Sequence, residues 1–249
     1  MSKIVVSGAG ISGHTAAAHL RRKLSKEHEV LVVSPNRNYQ WVPSNIWVGI
    51  GRMKRKDVIF PLEPLYKRKG IGYKQAKAVS FHPEGDKTEQ KPYVLVEGVY
   101  GDNLGKQEKV TYDYLINATG PKLAFDLTEG LQPATNKAYS VCTYDHAEHA
   151  SEALHELIDK LKNSDKKAKI LIGTGHAKAT CQGAAFEYIL NVEKELQKFG
   201  VRDKAEITWI SNEKHLGDFG MDGMLMDYNG FNMKSQDMIE MIFEDRGIK

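Results

Sequence analysis

The sequence predicts an α/β protein built on a doubly wound parallel sheet. Within about thirty residues of the start, an apolar strand, a glycine-rich turn, a helical stretch and a second apolar strand follow one another. Near residue 168 the chain restarts the same order of strand, turn and helix. With 249 residues there is room for one large or two small cores. The expected division is a first dinucleotide-binding domain over 1–125, carrying inserted β-strands, and a second, incomplete one over 126–249.

Lys3–Ser7 (KIVVS) reads as a buried strand, and Ser12–Leu24 as a helix with Ala16, Ala17 and Leu20 toward a sheet. EVLVVS (29–34) is the second strand. NYQWVPSNIWVGIG (38–51) is aromatic and apolar but has no period, and Pro43 interrupts any helix. It is expected to be a shaped loop outside the core. Leu62–Lys69 is helical in pattern, and 71–81, 92–99 and 108–117 read as three strands of an antiparallel or mixed excursion. YDYLINATGPKLAF (112–125) supplies a buried strand ending in Thr-Gly-Pro. Asp145 is expected to cap a helix running to about Lys162. Strand Lys169–Gly173, helix Ala184–Phe199, strand 206–211 (EITWIS) and an amphipathic stretch Met233–Phe243 complete the chain.

Composition narrows the function. Hydrophobic content of 41% with 27% charged residues matches a soluble globular protein, and no apolar run reaches the length of a membrane span. Met1 leads directly into the first strand without the segments of a signal peptide, so the expected location is cytoplasmic or peripheral to the inner face of the cell membrane. Thirty-five basic residues nearly balance 32 acidic ones, which argues against nucleic acid as a partner. The basic runs GRMKRKD (51–57) and KNSDKKAK (162–169) read as solvated loops. Two cysteines, Cys142 and Cys181, cannot build a disulfide framework or an all-cysteine metal site, so any role is that of a thiol and no metal is expected.

Gly8-Ala9-Gly10-Ile11-Ser12-Gly13 is a full G-x-G-x-x-G between strand and helix, the fingerprint of a Rossmann-like dinucleotide site. Gly8 allows the tight turn, Gly10 lets a pyrophosphate approach the backbone, and Gly13 lets helix and strand touch. The helix N-terminus then offers N–H groups to the phosphates. The second strand ends in Ser34 instead of Asp or Glu, and Arg37 follows, which keeps an NADP-binding reductase open. In the second turn, Gly173-x-Gly175-x-x-Lys178, a lysine stands where close packing needs a glycine. Cys181 is expected in the first turn of the next helix, where the macrodipole favours thiolate and His176 and Lys178 add positive charge. Its alternative is an inert core residue. Cys142 follows a strand-like AYSV, and His146 is either a proton carrier or a neighbour of the helix cap.

Taken in order, Gly8–Gly13, YQWVPSNIWVGIG, YDYLINATGPKLAF, SVCTYDHAEHA, TCQGAAFEY and RDKAEITWIS resemble the sulfide:quinone oxidoreductases, FAD-dependent members of the pyridine nucleotide-disulfide oxidoreductase superfamily. The resemblance implies that Gly8, Gly10, Ile11, Ser12 and Gly13 hold FAD pyrophosphate and that Ser34 lies at the ribose and Ala78 at the adenine. It also implies that Pro43, Ser44, Asn45, Thr119, Gly120 and Pro121 lie against the flavin. Cys181 would be a redox thiol, Cys142 a third functional cysteine and His146 a histidine near the flavin. The implied chemistry is oxidation of sulfide through cysteine sulfur and flavin to quinone. Family members carry a further redox cysteine and a closing flavin segment in a later half, and a histidine where Asp218 stands here. The expectation is therefore an N-terminal part of a longer enzyme, with peripheral membrane association only through that later half. Exposed apolar surface would then favour self-association into a homo-oligomer or weak flavin binding. A non-catalytic nucleotide-binding domain is the remaining alternative.

Overall fold

A computed structural model describes residues 1–130, 138–174, 176, 179 and 182–249. In chain order its elements begin with β1 (Lys3–Ser7), α1 (Ile11–Lys23), β2 (Glu29–Ser34), β3 (Asn38–Gln40), α2 (Asn45–Gly49), α3 (Arg55–Val58), β4 (Ile59–Pro61) and α4 (Leu62–Lys69). Next come β5 (Gly72–His82), β6 (Tyr93–Gly98), β7 (Gln107–Thr111), β8 (Tyr114–Asn117), α5 (Tyr144–Lys162) and β9 (Ala168–Gly173). The last are α6 (Gly183–Lys198), β10 (Ala205–Ile210), β11 (Leu225–Tyr228), β12 (Phe231–Lys234) and α7 (Ser235–Asp245). They form two compact units, one of Met1–Trp41 with Ile59–Leu123, the other of Val42–Val58 with Ala124–Lys249.

The first unit is a six-stranded sheet in the order β7-β6-β5-β2-β1-β8. β1 lies between two parallel neighbours, with Val6 facing Val32 of β2 and Ile116 of β8. A strand buried on both faces needs an unbroken apolar run instead of an alternating one, and this is the run that KIVVS supplies. Val6 packs with Val30, Val32, Ala17, Leu62 and Tyr66 under α1 and α4. Val5 packs with Leu31, Val33, Val94, Val96 and Val110 against the antiparallel strands. β5 joins both regimes, running parallel to β2 over Gly72–Gln75 and then antiparallel to β6 from Ala76, with a register shift between Ala78 and Ser80.

In the second unit β9 runs parallel to β10, with α6 between them in sequence. The core gathers Ile158 and Leu161 of α5, Phe186, Ile189 and Leu196 of α6, Ile207 of β10 and Phe243 of α7. Two glutamates, Glu193 and Glu195, are buried on α6, which requires that their charge be met. Arg202 Nε lies 3.3 Å and Arg246 Nη1 2.9 Å from the Glu193 carboxylate, and Arg52 Nε lies 2.5 Å from that of Glu195. β11 and β12 form a hairpin whose turn residues Asn229 and Gly230 both have positive φ, 54° and 84°, as a type I′ turn demands.

Four expectations need correction. Residues 38–51 are core and not only loop, because Tyr39, Ile46, Val48 and Ile50 are all buried. Pro43 sits inside the 3-10 turn Val42–Ser44, ahead of α2, where a missing N–H costs nothing. The cap of α5 is Thr143, whose Oγ1 accepts from the His146 N–H at 3.3 Å, and not Asp145. The predicted strand 108–117 divides, since the Tyr112 N–H donates to Pro92 O while the Asp113 N–H donates to Lys3 O. Its first part closes the antiparallel meander as β7 and its second part joins β1 as β8. Ala138–Val141 is not a strand.

His14, in α1, packs against Tyr39, Phe60 and Tyr66, and its Nδ1 lies 3.1 Å from the buried Tyr66 hydroxyl. Burial, then the charge of Lys69, holds its pKa below the ordinary value of about 6.5. A folded-state value below the unfolded one gives stability that is complete above about pH 6.5 and is lost as pH falls toward the folded value. Thermal melts should therefore drop between about pH 7.5 and about pH 5.5. The His14→Gln variant is expected to melt lower at the higher pH but to lose less over the same interval.

Candidate functional site

In the first unit the structure brings the glycine turn, Ser34 and the Thr119-Gly120-Pro121 turn to the same sheet edge. Ser7 pairs with Val33 on one side and Asn117 on the other, so β1, β2 and β8 end together. The Gly8 N–H donates to Val33 O and the Ala118 N–H to Ser7 O, each at 2.7 Å. The chain goes from β1 to β2 on one flank and returns later to β8 on the other. Such a reversal leaves a crevice at the carboxyl ends of the strands, where α/β sheets bind ligands.

The three glycines have separate duties. A Cβ on Gly8 would lie 2.0 Å from the Ala118 carbonyl oxygen, and φ there is +105°. A Cβ on Gly13 would lie 2.0 Å from the Gly8 carbonyl oxygen. Both are needed for the chain to close on itself. Around Gly10 there is nothing within 4 Å of where a Cβ would be, so its smallness serves an approaching group and not the fold. Gly10 is also the N-cap of α1, in extended conformation with no side-chain cap, and no acidic residue occupies the first turn. The first-turn amides of α1, at the exposed Ile11 and Ser12, therefore have no intrahelical acceptor. An open glycine, uncompensated N–H groups and a positive helix end fit a pyrophosphate. The Ser7 hydroxyl, fully buried beneath the turn, finds no partner among the described residues.

Around this cradle, Ser34 is 1% exposed and its Oγ accepts from the Asn36 N–H at 3.3 Å. Thr119, Gly120 and Pro121 are exposed, with Gly120 at φ +72°, and Asn117 Oδ1 accepts from the Thr119 hydroxyl at 2.9 Å. Ala78 sits at the register shift of β5, three residues past the Gln75 that pairs with Ser34.

The second unit holds the remaining predicted residues. Pro43 is exposed, Ser44 half-buried and Asn45 buried at the start of α2. Cys142 is an exposed free thiol, its N–H donating to Ser140 Oγ at 3.1 Å. His146 is half-buried in the first turn of α5, edge-on to Phe125 at 4.8 Å, and its Nδ1 has no partner among the described residues. Burial depresses its pKa, a shift that Asp145 opposes and His149 reinforces. Cys181, with Gly175 and Lys178, lies outside the described residues; the described helix begins at Gly183. Asp218 is in a loop where its carboxylate, that of Asp222 and the His215 ring offer ligand atoms within 4.8 Å of one another. Tyr73 and Gln75, absent from the sequence candidates, reach the turn after β2.

The fold and this cradle define a dinucleotide-binding α/β protein of the two-unit kind. Residues 2–199 match the pyridine nucleotide-disulphide oxidoreductase family, and the chain belongs to it. It is 29% identical over 245 residues to the sulfide-quinone reductase of Aquifex aeolicus (strain VF5), which covers 98% of this chain and 49% of that protein. The mitochondrial sulfide:quinone oxidoreductase of Dictyostelium discoideum is 26% identical over 211 residues, 85% of this chain and 42% of its own length. The crystal structure of the Aquifex aeolicus sulfide:quinone oxidoreductase matches with a TM-score of 0.77 at 28% identity, over 100% of this chain and 50% of that one. The chain thus spans about half the length of the relatives it matches.

The separate duties of the glycines can be tested by unfolding. Gly10→Ala should leave stability within about 0.5 kcal/mol of the parent, since its φ of −71° suits alanine. Gly8→Ala and Gly13→Ala should each cost about 2–4 kcal/mol through overpacking against backbone, with the positive φ adding to the loss at Gly8. Urea denaturation of the three variants measures the difference.

Proposed function

We propose that this chain is the dinucleotide-holding portion of an FAD-dependent oxidoreductase that oxidises sulfide with a quinone as acceptor. The observation that carries the reading is the 29% identity sustained over 98% of the chain to a sulfide-quinone reductase. The cradle at Gly8–Gly13 supports it, because FAD presents the pyrophosphate that those amides suit.

Held there, FAD would supply two-electron redox chemistry between a sulfur donor and a quinone. The chain's own part begins with Gly10 and the first-turn amides of Ile11, Ser12 and Gly13, which meet the phosphates. Thr119, Gly120 and Pro121, together with Pro43, Ser44 and Asn45, are proposed from the resemblance to border the ring system, and Ala78 to border the adenine. Cys181 is the proposed sulfur nucleophile and Cys142 a second functional thiol. His146, held neutral by its depressed pKa, is able to accept a proton from a sulfur donor at neutral pH. Among the described residues no helix is long and apolar enough to cross a membrane; peripheral contact with a membrane is proposed only through the later half that the resemblance implies.

An NADP-binding reductase is the second reading, favoured by the exposed Arg37 and by Ser34 in place of a carboxylate at the end of β2. A visible spectrum of the reconstituted protein separates the two, since bound flavin is yellow and nicotinamide is not. Titration with FAD should quench flavin fluorescence in the parent, and Gly10→Ala should weaken binding at least about tenfold, the cost of one lost charge-assisted phosphate contact. In protein expressed from the whole reading frame, Cys181→Ser and Cys142→Ser should each depress sulfide-dependent quinone reduction. Undiminished turnover in both would remove the thiol mechanism.

A further inference from the structure

We propose that the exposed side chain of Asn36, a residue whose backbone carbonyl Tyr73 holds, reads the adenosine ribose of the bound dinucleotide, in place of a residue at the end of β2. The inference rests on the dinucleotide reading above and assigns the ribose contact within it.

Ribose hydroxyls are ordinarily met by a carboxylate at the last position of the second strand. Here that position is Ser34, which is 1% exposed and whose Oγ already accepts from the Asn36 N–H at 3.3 Å. A hydroxyl with almost no surface, committed to its own turn, is poorly placed to meet a ligand arriving from solvent. Its function is to shape the turn at residues 35–37. Pro35, Asn36 and Arg37 are all exposed, and the backbone of each is tied down. Pro35 O accepts from Gln75 Nε2 at 3.4 Å, Asn36 O from the Tyr73 hydroxyl at 2.6 Å, and Arg37 O from the Leu62 N–H at 3.0 Å. Burial, then Glu63, pushes the Tyr73 phenol up to about 12, with Arg37 opposing, so it remains a donor at any physiological pH.

With both backbone groups of Asn36 engaged, its carboxamide is the exposed polar group left on that residue. One amide offers acceptor and donors together, the complement of a vicinal diol. The turn stands beside the cradle because the Gly8 N–H donates to Val33 O, one residue before Ser34. Tyr73 touches no ligand in this scheme and is a positioning residue. A neutral amide bonds hydroxyls less strongly than a carboxylate does, so the ribose preference should be real but modest.

The test compares ADP with 2′,3′-dideoxy-ADP by calorimetry. The parent should prefer ADP about fivefold to tenfold, the range of one or two neutral hydrogen bonds. Asn36→Ala should bring that ratio to about one while the thermal melt stays unchanged, and Tyr73→Phe should reduce it partway. FAD affinity should fall by the same factor in Asn36→Ala. An undiminished ratio in Asn36→Ala overturns the inference, and so does equal binding of the two nucleotides by the parent. Failure of the parent to bind ADP at all overturns the dinucleotide reading and this inference with it.

Discussion

The fold of the first unit depends on one close approach. The Ala118 carbonyl oxygen lies where a side chain at position 8 would begin, and the Gly8 carbonyl oxygen lies where one at position 13 would begin. Three strands can end level with each other, and a helix can start directly over them, only if those two positions carry no Cβ. That closeness would serve a ligand. It leaves the first amides of α1 uncapped and pointing out past the only one of the three glycines that has open space around it.

The second unit meets a different constraint, since α6 turns two carboxylates inward. Burying a charge is costly unless it is paired, and here two of the partners, Arg52 and Arg246, come from distant parts of the chain. Arg202 also donates to the carbonyls of Ala205, Arg246 and Gly247, so the same guanidinium that neutralises Glu193 fastens the segment after α7 to the strand entry. Arg52 does for residues 42–58 what Arg202 does for the C-terminal segment, joining them to α6 through Glu195. The basic run at 51–57 is in this respect structural. Its Arg55 is likewise engaged, stacked over Tyr144 and hydrogen-bonded to its hydroxyl.

The legible parts of the sequence are those whose physics is local. A strand buried on both faces must be a run of branched apolar residues, and a dinucleotide turn must have its glycines at fixed spacing, so β1, α1, β2 and the cradle can be read directly. Residues 38–51 escape periodicity because their buried side chains come from a three-residue strand and a five-residue helix, separated by a 3-10 turn that buries none, and each is too short to show a repeat. Thr143 and Asp145 are both good capping types, and what decides between them is the extended backbone at Thr143, which composition does not reveal. The β11–β12 hairpin does have a local signal in Asn229-Gly230, but its flanks alternate too weakly to draw notice. The Tyr73–Asn36 bond spans 37 positions and leaves no trace in either neighbourhood.

These two kinds of information map onto two kinds of work. In the flavin reading, what the first unit would offer a dinucleotide is backbone N–H, absent Cβ or neutral side chain, and none of these groups titrates near neutral pH. Their arrangement is set by ladder hydrogen bonds, so it persists across the pH range in which those bonds do. The groups proposed for the sulfur chemistry, Cys142, Cys181 and His146, belong by sequence to the second unit, and two of them are thiols whose reactivity follows their protonation. A cradle built from backbone would therefore keep its hold on the proposed coenzyme while the proposed thiols changed charge and oxidation state. That separation comes from which atoms each unit contributes: three glycines shape a cradle suited to a dinucleotide, and the sulfur chemistry proposed above falls to side chains of the second unit.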